Sequence, residues 1–263
     1  MHWRYVTSVA MAGLLAACSK APTPLQVEFV PTFGESVLSC GGPAGLSMTD
    51  LRFYVHNLRL EDVSGEVHRV QLEPGDWQQE DLALLDLEDG SGNCINGTGV
   101  TNAIVRGTVS GEKFRALEFT LGVPFEQNHA DPLLAASPLG DADMHWHWRG
   151  GYKFLRAGIR SDTDSFWLHL GSTGCKGTIQ NITGCNAPNR VTVRLEDYTP
   201  GDAIAVDLAA LVGSGTLADA MPTDCSSGPA EKHCSAAFAA LGLAHATGEQ
   251  AGSQRLFSLQ RAP

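Results

Sequence analysis

The chain has 263 residues, enough for one large domain or two small ones, and a core of that size folds without staples. It is 43% hydrophobic, which excludes a disordered chain, and 18% charged, against roughly 25% in an average domain. A net charge of −11 leaves no excess of Lys or Arg to neutralise phosphates, so nucleic acid is excluded as the main partner.

Residues 1–17 read as an export signal. Arg4 supplies the positive start and Val6–Leu15 a short apolar core, far below the ~20 residues that a spanning helix requires. Leu15-Ala16-Ala17-Cys18 has the form of a bacterial lipobox, in which Cys18 is acylated and becomes the new N-terminus. An ordinary cleaved signal beside a stray cysteine is the alternative. The expected organisation is a signal peptide over 1–17, a tether over 18–24 and one domain over 25–263. Ser19 favours lipid anchoring at the outer membrane, in the periplasm or at the cell surface.

The 29 glycines and 13 prolines announce many turns and short strands. Period-two alternation predicts strands over Leu25–Phe33, Leu51–Leu60, His68–Leu72, Ala103–Val109, Lys113–Val123, Met144–Ile159, Ser165–Leu170, Arg190–Tyr198, Ala203–Leu208 and Arg255–Leu259. Leu82–Leu87 is ambiguous between helix and strand, and Glu231–Leu243 is the best helix. The spacing suits an all-β fold, an antiparallel β-sandwich with long loops and little helix. The 210–250 region reads as a peripheral elaboration, and the role of 210–263 stays open.

Seven cysteines are an odd number, and assigning Cys18 to a lipid leaves six: Cys40, Cys94, Cys175, Cys185, Cys225 and Cys234. An even set in an oxidising compartment reads as disulfides. Proximity favours Cys175–Cys185 and Cys225–Cys234, leaving Cys40–Cys94. No CxxC pair occurs, so a thiolate metal site has little support.

The densest cluster of chemistry is Asp141 to Trp148 (DADMHWHW). On a regular strand His145 and His147 share one face, ~6.6 Å apart, and Met144, Trp146 and Trp148 the other. Two imidazoles so placed can reach one ion, although two solvated edge histidines would look the same. Trp167 and His169 form a second same-face pair; His129 stands in a loop and His56 within a strand. His68, His233 and His245 read as structural. Imidazoles without thiolates suit copper or zinc, and a Trp- and Met-rich shell favours copper. The acidic run Asp86–Asn93 is only a vague calcium loop and reads as a solvated turn. No nucleophile elbow, phosphate loop, dinucleotide fingerprint or HExxH motif is present.

Residues 53–59 (FYVHNLR), 120–125 (TLGVPF), Asn128-His129, Trp146-His147-Trp148, 151–154 (GYKF) and 169–175 (HLGSTGC) together resemble the MbnP-type proteins, the four-cysteine-motif half of a "metallo-mystery pair". The resemblance spans Leu25 to Leu208. It implies a copper-binding β-sandwich in which a tryptophan is oxidised to kynurenine by a dihaem partner of the cytochrome c peroxidase type. Opening the indole exposes an aniline nitrogen and a carbonyl, donors that indole lacks. His129 and His169 match the motif positions most plainly, with His147, His145 and His56 as further ligands. Trp148, Trp146 and Trp167 are the candidate precursors. A site using His147 and both flanking tryptophans requires a bulge or a loop.

Three functions fit these residues. The first is a non-catalytic copper-binding lipoprotein for copper acquisition or handling. The second is a copper oxidase or zinc hydrolase using the same histidines, with Asp131, Asp141 or Asp143 as the proton-transfer group. The third is a structural surface sandwich whose histidines are incidental.

Overall fold

The computed structural model describes residues 21–42, 45–179, 181–213 and 225–261. The export signal, Cys18 and part of the tether, and 214–224 of the late segment, lie outside the described residues. The strands are, in chain order, β1 (Thr23–Phe33), β2 (Ser36–Val37), β3 (Leu46–Asp62), β4 (Val67–Arg69), β5 (Gln71–Leu72), β6 (Gln78–Gln79), β7 (Leu82–Asp86), β8 (Ile104–Val109) and β9 (Phe114–Leu121). A one-turn helix α1 (Phe125–Asn128) follows. Then come β10 (His145–His147), β11 (Gly151–Ser161), β12 (Ser165–Gly171), β13 (Thr173–Thr178), β14 (Asn181–Ala187), β15 (Val191–Glu196) and β16 (Ala203–Asp207). The last elements are α2 (Ser235–Ala240) and β17 (Phe257–Gln260).

The fold is an all-β sandwich. One sheet runs β17-β16-β1-β8-β5, with β2 on the edge of β1. The other is built on β3, whose first half pairs with β11 and β7 and whose second half pairs with β9 and β4. β12 extends this sheet beyond β11, and β15 extends it beyond β9. Among the named strands of the described residues, pairing is antiparallel except β1 with β16, which is parallel. Alternation follows the pleat where one face alone is covered: Leu25, Val27 and Phe29 of β1, and Val191, Val193 and Leu195 of β15, point inward. Between the sheets Phe29 and Phe257 interlock with Phe53 and Phe119, edge to face, with centroids 5.2 to 6.2 Å apart.

Several expectations are refined. Leu82–Asp86 is a strand buried on both faces, which is why its sequence shows no alternation. The predicted strand Met144–Ile159 is broken between β10 and β11 by a turn ending at Gly151. That residue has φ +78°, and a Cβ there would meet the Asn128 backbone oxygen. The helix expected over Glu231–Leu243 is shorter, a 3₁₀ turn at Lys232–Cys234 followed by α2. β13 and β14 form a hairpin that alternation does not reveal. All three disulfides have the pairing that proximity favours.

The late segment is not wholly peripheral. Cys225 forms a parallel bridge with Leu168, accepting from His169 N at 2.8 Å and donating to Trp167 O at 2.9 Å. Ser227 Oγ donates to His169 O at 2.7 Å. It thus backs the strand that carries Trp167 and His169. Among the described residues no helix is long and apolar enough to cross a membrane. Truncating Phe29 to Ala leaves a cavity at the meeting point of both sheets. It should cost about 3–5 kcal/mol, read as a lower midpoint in urea unfolding with disulfides intact.

Candidate metal centre

The outward face of β3 and β11 carries charged side chains that are buried rather than solvated. Asp50 and Arg52 of β3 and Arg156 of β11 are buried there. Arg52 Nε lies 2.6 Å from Glu88 Oε1, and its Nη1 lies 3.5 Å from Asp141 and 3.7 Å from Asp143. Arg156 pairs with Asp50. Burial, and then the neighbouring Asp50 carboxylate, pushes Glu88 up to about 7.

These charges are covered by the segment between α1 and β11, which is latched on by hydrogen bonds. Tyr54 OH donates to Pro138 O at 3.2 Å, Tyr152 OH to Leu139 O at 3.0 Å, and Lys153 Nζ to Asp143 O at 2.7 Å. Met144 is fully buried beneath the segment. The latch delivers the His-x-His stretch to the sheet edge.

At that edge β10 is bulged. His145 faces Tyr152 and His147 faces Gly151, so Trp146 is the extra residue. The regular alternation expected for Met144 to Trp148 is therefore corrected. His145 and Trp148, expected on opposite faces, line one cavity together, and His147 does not line it. His147 instead accepts at Nδ1 from the backbone N–H of Arg149 (3.2 Å) and Gly150 (3.1 Å). Its neutral ring thus carries the proton on Nε2. The Trp146 ring lies over Gly171 of β12, where a Cβ would stand 3.0 Å from Cε3 and Cζ3. Trp167 lies likewise over Gly158 of β11. Glycines inside strands signal such close approaches.

The cavity has a volume of about 540 Å³ and is lined by His129, His145, Trp148, Asp131 and Ile179 among others. His129 caps α1 and packs edge-on against Phe125. Its orientation depends on Asn128, a buried side chain whose role the sequence did not disclose. Asn128 Oδ1 accepts from Tyr152 N at 2.8 Å and Nδ2 donates to Gly150 O at 3.0 Å, which fixes the amide. The second Nδ2 hydrogen then points to His129 Nε2, 3.2 Å away. The neutral ring is therefore protonated on Nδ1, and Nε2 is its lone-pair nitrogen.

The remaining predicted residues stand elsewhere. His169 shares the outward face of β12 with Trp167, centroids 6.5 Å apart. Its Nε2 is buried without a hydrogen-bond partner. His56 hydrogen-bonds through Nδ1 to Gly122 O at 2.9 Å, which leaves its Nε2 as the lone-pair atom. Neither lines the cavity. Among the described residues, no group of three or more His, Cys, Asp or Glu donors within 4.8 Å of one another unites two of the five predicted histidines. His68 pairs with Asp62 and stacks on Phe114, and His245 packs on Phe238.

Burial, helped by nearby positive charge, lowers the proton affinity of all five imidazoles and so favours their neutral form. Burial lowers His56; burial and then Arg190 lower His129; burial, His147 and Lys153 lower His145; burial and Arg149 lower His147. Burial, followed by Arg156, Lys153 and Arg52, brings His169 down to about 4. Neutral imidazole is the ligating form. With the unpartnered His169 Nε2 and the half-exposed indoles, this donor set fits a borderline metal such as copper or zinc.

Fold and site first define a class: a disulfide-bonded all-β sandwich whose histidines are held neutral on one sheet face and its covering loop. The chain belongs to the MbnP family, whose model, described as MbnP, matches residues 22–227. Among solved structures, MbnP from Methylosinus trichosporium superposes with a TM-score of 0.77 at 23% identity, over 91% of this chain and 99% of that one. This likeness is one of fold. No curated protein matches.

Replacing Arg52 by Met should cost about 3–5 kcal/mol, because Glu88 loses its buried cation and Asp50 keeps only Arg156. Increased proteolysis between Pro138 and Asp143 would report release of the latch. His169 also predicts an acid dependence. Above its unfolded value of about 6.5 both states are neutral and the contribution is full. As pH falls towards about 4, the unfolded state takes up a proton that the folded state refuses, and stability is lost. In His169→Gln that loss should shrink by up to about 3 kcal/mol between pH 6.5 and 4, measured by urea unfolding at each pH. An unchanged slope would refute the assignment.

Proposed function

We propose that this protein is a non-catalytic, extracytoplasmic copper-handling protein whose copper site forms at the cavity shared by His129, His145 and Trp148. The observation that carries the reading is the convergence of two neutral imidazoles and an accessible indole on one cavity of about 540 Å³. Membership of the MbnP family supports it. Copper would take the lone pair of His129 Nε2 now turned to Asn128. His147 on the covering loop, His169 on β12 and His56 on β3 are further donors outside the cavity. When bound, the metal supplies a soft-to-borderline acceptor for imidazole and aniline nitrogen.

Trp148 is the proposed kynurenine precursor. It is 38% exposed, within reach of a macromolecular oxidant, whereas Trp146 and Trp167 are half-buried over glycines. The oxidant in this reading is a dihaem protein of the cytochrome c peroxidase type. Acylation of Cys18 would hold the domain at the outer membrane.

Copper titration of the full chain, co-expressed with such a haem protein, tests the reading. His129→Ala and His145→Ala should each weaken copper binding at least tenfold, about 1.4 kcal/mol. Digestion and mass measurement should find one carbon exchanged for one oxygen in the peptide bearing Trp148. Unmodified Trp146, Trp148 and Trp167, together with undiminished affinity in both histidine variants, would overturn it.

A further inference from the structure

One group of metal-ligating atoms involves a histidine of the cavity but nitrogen and sulfur rather than nitrogen alone. The His129 ring and the sulfurs of Cys175 and Cys185 lie within 4.8 Å of one another. His129 Nε2, the lone-pair nitrogen, is 3.5 Å from Cys185 Sγ. As a disulfide the two sulfurs are poor ligands; as thiolates beside an imidazole they are a soft, three-donor set.

Three features make this disulfide differ from the other two. It staples the separate hairpin of β13 and β14, joining residues directly opposite one another in the register. Backbone pairing on both sides, Thr173 with Ala187 and Lys176 with Gly184, would keep the cysteines facing after the S–S bond opens. Cys185 is half-exposed, whereas Cys40, Cys94, Cys225 and Cys234 are at most 2% exposed. Thiol–disulfide exchange needs access to a sulfur, so a reductant reaches this bond first. The tip of the hairpin also lies at the cavity, which Ile179 lines.

We infer that Cys175 and Cys185, once reduced, form with His129 a redox-gated site for a soft metal ion, formed by opening the bond that otherwise staples the hairpin. The reductant is a dithiol. It passes two electrons and two protons to the S–S bond, which becomes two thiols, and is itself oxidised to a cyclic disulfide. The incoming ion then displaces the thiol protons to solvent and accepts the lone pair of His129 Nε2 in place of the Asn128 hydrogen bond. The inference shares His129 with the copper reading but does not rest on it, because two of its three donors are sulfur and its test uses another metal.

The full chain is reduced with a dithiol, freed of it anaerobically, and titrated with Cd(II) alone while thiolate-to-metal charge transfer is followed in the ultraviolet. Reduced protein should take up one equivalent with a charge-transfer band, and the oxidised protein should show no such band. The double variant Cys175→Ser/Cys185→Ser, which retains the other four domain cysteines, should lose the band. His129→Ala and the more conservative His129→Gln should each weaken Cd(II) binding at least tenfold, with near-ultraviolet circular dichroism confirming their fold. A band that survives in the double variant, no uptake by reduced protein, or undiminished affinity in a folded His129 variant would each overturn the inference.

Discussion

The interlock of four phenylalanines between the sheets is the contact on which the rest of the molecule depends. Phe29 and Phe257 come from one sheet, and Phe53 and Phe119 from the other. Because Phe53 points inward, the pleat obliges Arg52 and Tyr54 to point outward. The buried face of β3 thereby dictates its opposite face, where the charges and the tyrosine that anchor the covering loop reside. Packing in the core and placement of the metal-competent loop are two consequences of one register.

The outer layer is built from interactions that are costly unless complete. A buried arginine among carboxylates repays its desolvation only with close partners, and Arg52 has Glu88, Asp141 and Asp143 around it. Two of these partners belong to the loop that leads into β10. The histidines therefore sit on a segment whose position is coupled to a buried charge network. Positive charge from that network also lowers the proton affinity of His169, so the same residues place the loop and keep an imidazole neutral.

Most of the sandwich was legible because most of its strands bury one face. β1, β8, β9 and β15 follow alternation closely. β7 did not, being covered on both sides, and the Gly-, Thr- and Asn-rich hairpin of β13 and β14 left only its cysteines as a signal. For the site, the sequence named the histidines and tryptophans but could not foresee the extra residue at Trp146. The bulge lies against β11, and the Trp146 ring it turns out rests on the bare Cα of Gly171 on β12, a contact far away in sequence. Asn128 and Arg52 escaped for the same reason: their partners lie on other strands and loops, and no local pattern marks them.

The position of Phe257 in the interlock also governs the order in which this chain can acquire structure. β1 waits for β16 before its inner edge is paired, and β16 in turn borders β17. The outer edge of β12 is finished by Cys225 and Ser227. β3 finds its partners by residue 161, but the sheet of β1 is completed only when β17 is available. Contacts so distant in sequence slow folding. The first and last strands of the chain therefore close one sheet together, so that sheet needs both ends of the sequence before it is whole.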